Sequence, residues 1–463
     1  MAAQTNSIPT ELGTEKIGKL LKQYALPAII AQTAASLYNM VDSIFIGQGV
    51  GPLAISGLAI TFPLMNLSTA FGTLVGVGAS TMLSVLLGQK NYKAANKVLG
   101  NVVTLNTIIG VVFMAAALLF LDPILYFFGA SENTLPYAKE YITIILIGNV
   151  ITHLYFGLNA AMRSSGNPKK AMGLTLFTVI FNTILDPIFI FVFDMGIAGA
   201  AWATVISQTI AMLAVMYHFN DRKKPLHFEK GIFRLDTRVA KDSLAIGMGP
   251  FLMNAAACLV TLFINQQLRD YSGDLGIGAY GICNRFVFMF IMICMGLNQG
   301  MQPIAGYNYG ARQYSRVKEV FWKTAKLGML MTTLCFIFGM FFPRAAVGIF
   351  THDEQLLELA SRALRINTLV FPIVGFQIIS TNFFQSLGMV NKSIILSLSR
   401  QLLFLLPLLY LLPTRYGADG VWASFPIADT LSTIMTAILL GRLFKKFNML
   451  KDGDDPSILG SHL

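Results

Sequence analysis

Apolar runs of about 20 residues recur along the whole chain, each long enough to cross a hydrocarbon layer of about 30 Å as a helix. Most are apolar on every side, so they lack the polar stripe of a soluble amphipathic helix. Hydrophobic residues make up 55% of the 463, charged residues only 12%, and mean hydropathy is +0.63. The pattern predicts an all-α polytopic membrane protein. Windows of about 19 residues place twelve spans. Six lie in the first half, at 24–47, 54–84, 96–121, 137–161, 170–193 and 198–218. Six lie in the second, at 243–267, 277–304, 319–342, 362–384, 393–413 and 419–441.

Charge orients these spans. A net charge of +11 raises nucleic-acid binding as a possibility, but an excess of Lys and Arg on one side of a membrane accounts for it better. With the N-terminus inside, the inner loops and tails hold 24 Lys and Arg. The outer loops hold six: Lys139, Arg269, Arg344, Arg362, Arg365 and Arg415. Both termini are therefore expected in the cytoplasm, with no nucleic-acid partner. The expected organisation is a polar tail over 1–23 without a signal-peptide pattern, a lobe over 24–218, an inner loop over 219–242, a lobe over 243–441 and a tail over 442–463. The four cysteines (Cys258, Cys283, Cys294 and Cys335) lie in apolar segments without CxxC spacing. They read as packing residues.

The long inner loop divides two similar halves. At an offset of 222 residues, GPLAISGLAI at Gly51 lies over GDLGIGAYGI at Gly273, and GQKNYKAANKV at Gly88 over GARQYSRVKEV at Gly310. Gly78 meets Gly300, Gly166 meets Gly388 and Lys170 meets Lys392. One residue off that register, MGIAGAAWA near Gly196 matches YGADGVWA near Gly417. Each half has an even number of spans, so both enter from the same side. The repeat is parallel, related by a pseudo-two-fold axis along the membrane normal, as in transporters.

Ionisable groups inside spans are costly and are functional candidates. Asp42 is the only charge in its apolar stretch, LYNMVDSIFIG, and Asp186 lies at similar depth in the same half. Tyr38 and Asp42 share a helix face at i, i+4, as do Asn182 and Asp186. Two carboxylates brought together in a dry site cannot easily both ionise. They can share a proton or, with neutral oxygens, hold a monovalent cation. Pro187 frees the Thr183 carbonyl and opens its span locally, and Pro27 does the same in the first span. A helix-locking hydrogen bond is the competing structural account of each acid. The offset sets Asp42 over Ile264 and Asp186 over Leu408, so only one half carries the acids. Arg400 and Asp429 suit a structural ion pair or cavity lining. Arg285 lines the cleft or snorkels outward, and a lone His153 suits hydrogen-bonded packing. No HExxH, GxSxG, Walker or glycosidase pattern is present, so an enzyme is not expected and ATP is not the direct energy source.

The pieces YNMVDSIFIG, RSSGNPKKAM, FNTILDPIFIF and MGIAGAAWATVISQ resemble the MATE (multidrug and toxic compound extrusion) family. Asn-x-x-x-Asp-Pro is most similar to its DinF-like branch, and there to the MepA-type bacterial multidrug exporters. The resemblance runs from about Ile17 to Phe447 and implies two six-helix lobes, rocker-type alternating access and export of organic cations driven by H+ or Na+. It implies an ion-coupling site at Tyr38, Asp42, Asn182, Asp186 and Thr204, with Tyr141 and Asn159 as further members, and a possible Na+ at Asp42, Asp186, Asn182 and Thr204. It implies no cofactor beyond the coupling ion. It places the chain in the bacterial inner membrane, with membrane lipid as its surroundings and a monomer as the default state. Spans 7 and 10 carry no interior acid, so the second-lobe site of the NorM-like branch does not carry over. Two other architectures compete. A major-facilitator protein would carry Gly-x-x-x-Asp-Arg where this chain has GQKNYKAANK. A flippase or exporter of a lipid-linked or metabolite substrate would need more cations in its spans than Arg285 and Arg400.

Overall fold

The computed structural model describes residues 10–229, 231, 233–351 and 353–459, so the first nine residues of the expected tail lie outside the described residues. Among the described residues, ten helices are long and apolar enough to cross a membrane, and two bent helix pairs bring the number to twelve when each pair is counted as one span. In the first repeat they are α1 (Ile17–Gly49), α2 (Pro52–Gly88), α3 (Tyr92–Leu119), the pair Leu135–Ile147 and Asn149–Ser164 that makes up α4, α5 (Pro168–Pro187) and α6 (Gly196–Phe219). In the second they are α7 (Thr237–Gly273), α8 (Leu275–Gly310), α9 (Tyr314–Phe341), the pair Glu354–Thr368 and Phe371–Ser386 that makes up α10, α11 (Val390–Tyr416) and α12 (Ala418–Phe447). No strand occurs among the described residues. The chain is a multi-pass helical membrane protein.

The backbone repeats with the sequence. Gly51 and Gly273 separate the first two helices of each half and both take positive φ, 115° and 62°. Gly166 and Gly388 do the same before the fifth helix, at 91° and 68°. A side chain would be strained at these φ values, which is why glycine stands there. Lys90 and Arg312, again 222 residues apart, share φ near 59° and 57°. The fourth span of each half is bent at matching places, by 52° at Gly148 and by 57° between Thr368 and Phe371.

Two compact units result. One holds Ile30–Phe251 together with the short segment ending at Thr14, and the other holds Glu15–Ile29 together with the chain from Leu252 onward. The first helix of each repeat therefore begins in the unit built by the other repeat. The division falls just after Pro27 in α1 and just after Pro250 in α7, one residue from repeat register. Glycine seams hold these helix starts. A Cβ on Gly78 would come within 1.8 Å of the Ser243 carbonyl oxygen, and one on Gly247 within 1.8 Å of that of Leu74. In the second unit a Cβ on Gly300 would meet Ala25 Cα at 2.4 Å, and one on Gly296 would meet Ile29 Cα at 2.6 Å. Small residues let backbones approach this closely, and close approach is what binds helices in a lipid solvent.

Candidate functional site

The first unit buries two carboxyls side by side. Asp42 on α1 is 6% exposed and Asp186 on α5 is 0% exposed. The two carboxyl groups lie close enough to interact directly. Two carboxyls this close in a dry site cannot easily both ionise. Asn182 lies one turn before Asp186 and is also buried. With its amide set so that nitrogen faces the acid, Nδ2 donates to Asp186 Oδ2 at 2.9 Å and Oδ1 at 3.0 Å, while the amide oxygen accepts from the Thr204 backbone N–H at 2.9 Å. That orientation is assigned from the network, because only it satisfies both ends of the amide. Tyr38, one turn before Asp42, brings its hydroxyl to 3.1 Å from Thr204 Oγ1. Thr204 in turn donates to the Ala200 carbonyl on α6. Three helices thus supply five polar side chains to one network.

Tyr141 on α4 is buried and lies close enough to Asp42 and Asp186 to feel both charges. It packs in an apolar cluster with Ile46, Ala54, Ile190, Ile197 and Ala200. This cluster shields one flank of the acids from water, which raises the cost of leaving a charge there unpaired. Directly after Pro187, the α-helix widens into a π-helical turn over Ile188–Val192. Proline removes the N–H that would close an α-helical bond to Thr183, and single π turns of this kind recur at functional sites.

The donor set is all oxygen apart from one amide nitrogen: two carboxyls, two phenols, a hydroxyl and an amide. Such a set suits a proton or a hard monovalent cation. Asp42 Oδ1 is buried and accepts from no N–H or O–H donor, so the Asp42 carboxyl has spare capacity. The residues therefore fit Na+ as well as H+. Among the described residues, no cluster of three or more His, Cys, Asp or Glu is placed to hold a metal.

The remaining candidates lie in other settings. Asn159 donates from Nδ2 to Thr175 Oγ1 at 3.2 Å, and Tyr155 places its hydroxyl 3.2 Å from the same oxygen. The sequence shows Tyr155 and Asn159 at i, i+4 on one face of α4, but not their shared partner on α5. His153 is buried and packed, with Nε2 2.9 Å from the Ser68 carbonyl. Arg285 is exposed on α8. In the second unit Arg400 Nε forms an ion pair with Asp429 Oδ1. Asp429 is 1% exposed and Arg400 29%. Arg400 sits on a second π-helical stretch, Ser399–Leu405.

The twelve helices, their parallel repeat and the one-sided acid pair define a two-repeat multi-pass membrane protein of transporter architecture. Residues 27–188 and 248–411, one block in each repeat, match the MatE family model, and the chain belongs to that family. It is 28% identical over 438 residues to the multidrug export protein MepA of Staphylococcus haemolyticus (strain JCSC1435), covering 94% of this chain and 96% of that one. The same figure, 28%, holds over 422 residues against MepA of Staphylococcus aureus (strain MRSA252), covering 91% and 93%. Among solved structures, the MATE multidrug transporter DinF-BH is 36% identical, with a TM-score of 0.88 over 97% of this chain and all of that chain. A MATE structure in the bent conformation aligns with a TM-score of 0.90 at 23% identity, over 96% of this chain and 99% of the other.

Proposed function

We propose that the protein is a secondary active antiporter that exports organic cations, drugs among them, across the bacterial cytoplasmic membrane in exchange for H+ or Na+. The observation that carries this reading is the buried pair of Asp42 and Asp186 inside a network with Tyr38, Asn182 and Thr204. A multidrug export protein as relative, and a multidrug transporter as structural neighbour, support the substrate class.

The chemistry runs through the charge on the pair. With one proton shared, the pair carries a single negative charge, and the Asn182 amide donates to the Asp186 oxygens. Adding a proton or Na+ at the free Asp42 oxygen neutralises it. A neutral pair no longer attracts a cationic substrate and no longer resists burial, so the ion favours one conformation of α1 and α5 over the other. That differential binding is the whole drive, because an ion that binds both conformations equally shifts nothing. Pro27 in α1 and the π turn after Pro187 in α5 are the places where these helices can bend. Both termini lie in the cytoplasm on this reading.

The test is ethidium efflux from cells that lack their own pumps, first de-energised and then re-energised with a proton gradient or with Na+ supplied alone. Wild type should pump with one of the two ions, and Asp42→Asn at matched expression should not. Undiminished efflux by Asp42→Asn would falsify the assignment. Transport of neither ethidium nor other cations would point instead to lipid-linked or metabolite cargo.

A further inference from the structure

Each repeat ties the start of its third helix to the segment that follows its sixth. In the first repeat, Asn96 Nδ2 donates to Glu229 Oε1 at 2.9 Å, and the His227 N–H donates to Asn96 Oδ1 at 3.1 Å. The Asp236 N–H donates to Asn101 Oδ1 at 3.1 Å, and Thr104 Oγ1 donates to the Phe233 carbonyl at 2.7 Å. Asn96 and Asn101 are both buried although they stand near the end of a span. In the second repeat, the Ser315 N–H donates to Asp452 Oδ1 at 2.9 Å and its hydroxyl to Oδ2 at 2.5 Å. Tyr314 donates to the Asp454 carbonyl at 2.8 Å, the Gly453 N–H to the Arg312 carbonyl at 2.8 Å, and Lys318 to Asn448 Oδ1 at 3.1 Å. A shift of 222 carries Asn96 onto Lys318, and carries 227–236 onto 449–458. The same two stretches meet in both halves through different residues.

The chemistry differs in one respect. The N-cap of α3, Asn91, caps its own helix by accepting from the Ala94 N–H at 3.2 Å. The corresponding residue of α9, Gln313, makes no side-chain cap bond. The first-turn amide at Ser315 goes to Asp452 instead. A carboxylate is well suited there, since it accepts orphan amides and opposes the positive end of the helix dipole.

We infer that residues 448–455 form the second copy of a clasp whose first copy is the inter-repeat loop, and that Asp452 serves as the N-terminal cap of α9 from outside that helix. The tail is thus a built part of the second unit, and the loop between repeats is the tail of the first. Each clasp closes one unit only, so each opens independently.

Hydrogen–deuterium exchange on the full-length protein in detergent tests this without any transport assay. Asp452→Ala should speed exchange across 312–317 by about tenfold or more and leave 88–104 and 227–236 at wild-type rates. Asn96→Ala should do the reverse, speeding 227–236 and sparing 312–317. Asp452→Asn, which keeps an oxygen acceptor and the side-chain volume, should fall between wild type and Asp452→Ala, and it serves if Asp452→Ala is not recovered folded. Unchanged exchange at 312–317 in both Asp452 variants overturns the capping role. An equal rise in both clasps from either substitution overturns their independence.

Discussion

Asp42 and Asp186 face each other from two helices of one unit, and Asn182, one turn before Asp186 in the same helix, donates to both of its carboxyl oxygens. Groups that share a proton or an ion act as one titrating unit. Their removal should therefore be non-additive. We expect Asp42→Asn and Asp186→Asn each to abolish driven ethidium efflux, and the double variant to be no worse than either. Efflux rates at matched expression check this. Losses that multiply in the double variant would mean two independent sites.

The network around the acids should show a graded response. Asn182→Leu removes the donor to a buried carboxylate, a bond worth about 1.5–3 kcal/mol. Apparent affinity for the driving ion should shift by roughly ten- to hundredfold. Tyr38→Phe removes only the hydroxyl next to Thr204 and should cost tenfold at most, about 0.5–1.5 kcal/mol. Efflux measured against increasing ion concentration separates the two. A Tyr38→Phe defect as large as that of Asn182→Leu would place Tyr38 directly on the ion.

How much of this was legible in the sequence follows from the range of each interaction. The twelve spans came from local hydropathy, and the acid pair from two i, i+4 patterns beside rare intramembrane charge. Arg400 and Asp429 were visible as charges, but their pairing depends on how two helices are turned, which periodicity does not fix. The same holds for Asn159, whose partner Thr175 lies across a helix contact. Placing the lobe boundaries at loop ends overlooked the glycine seams. Gly78 and Gly300 were matched as a repeat pair, but that Gly78 packs on α7 and Gly300 on α1 is set by tertiary contact alone.

Those seams make a prediction of their own. A methyl at Gly78 would overlap the Ser243 carbonyl, and one at Gly300 would overlap the Ala25 backbone. Backbone cannot rotate away as a side chain can, so the helices must separate. Overpacking of this kind costs about 1–3 kcal/mol or more. Gly78→Ala and Gly300→Ala should each lower the thermal midpoint in detergent. Gly173→Ala is the control, since nothing lies within 4 Å of its would-be Cβ, and it should leave the midpoint unchanged.

Asp452 fixes the pH range of the second clasp. Burial pushes its carboxyl up, but the Ser315 hydroxyl, the Ser315 and Tyr314 amides and the Lys318 charge outweigh this, and the net direction is down. A depressed carboxyl contributes stability above its unfolded value, about 3.9, and loses it as pH falls through the folded value. The clasp should therefore hold unchanged from pH 8 to pH 5 and open only below about pH 4. Limited proteolysis of the tail across that range reads it out. Release near pH 6 would contradict the assignment of Asp452 as the anchoring charge.

The ion pair of the second unit offers a test of structure against transport. Asp429 is almost wholly buried, and Arg400 Nε is its charged partner. Removing one member of a buried pair strands the other charge, at a cost of about 3–5 kcal/mol. The lower end applies here, because Arg400 keeps 29% exposure. Replacing both with apolar residues of similar size removes the stranded charge and is often close to neutral. Asp429→Leu alone should thus be poorly stable in detergent, and adding Arg400→Met should restore most of the loss. If the pair serves only to join α11 and α12, efflux by the double variant returns with stability. A double variant that is stable but does not pump would show that the pair takes part in transport as well.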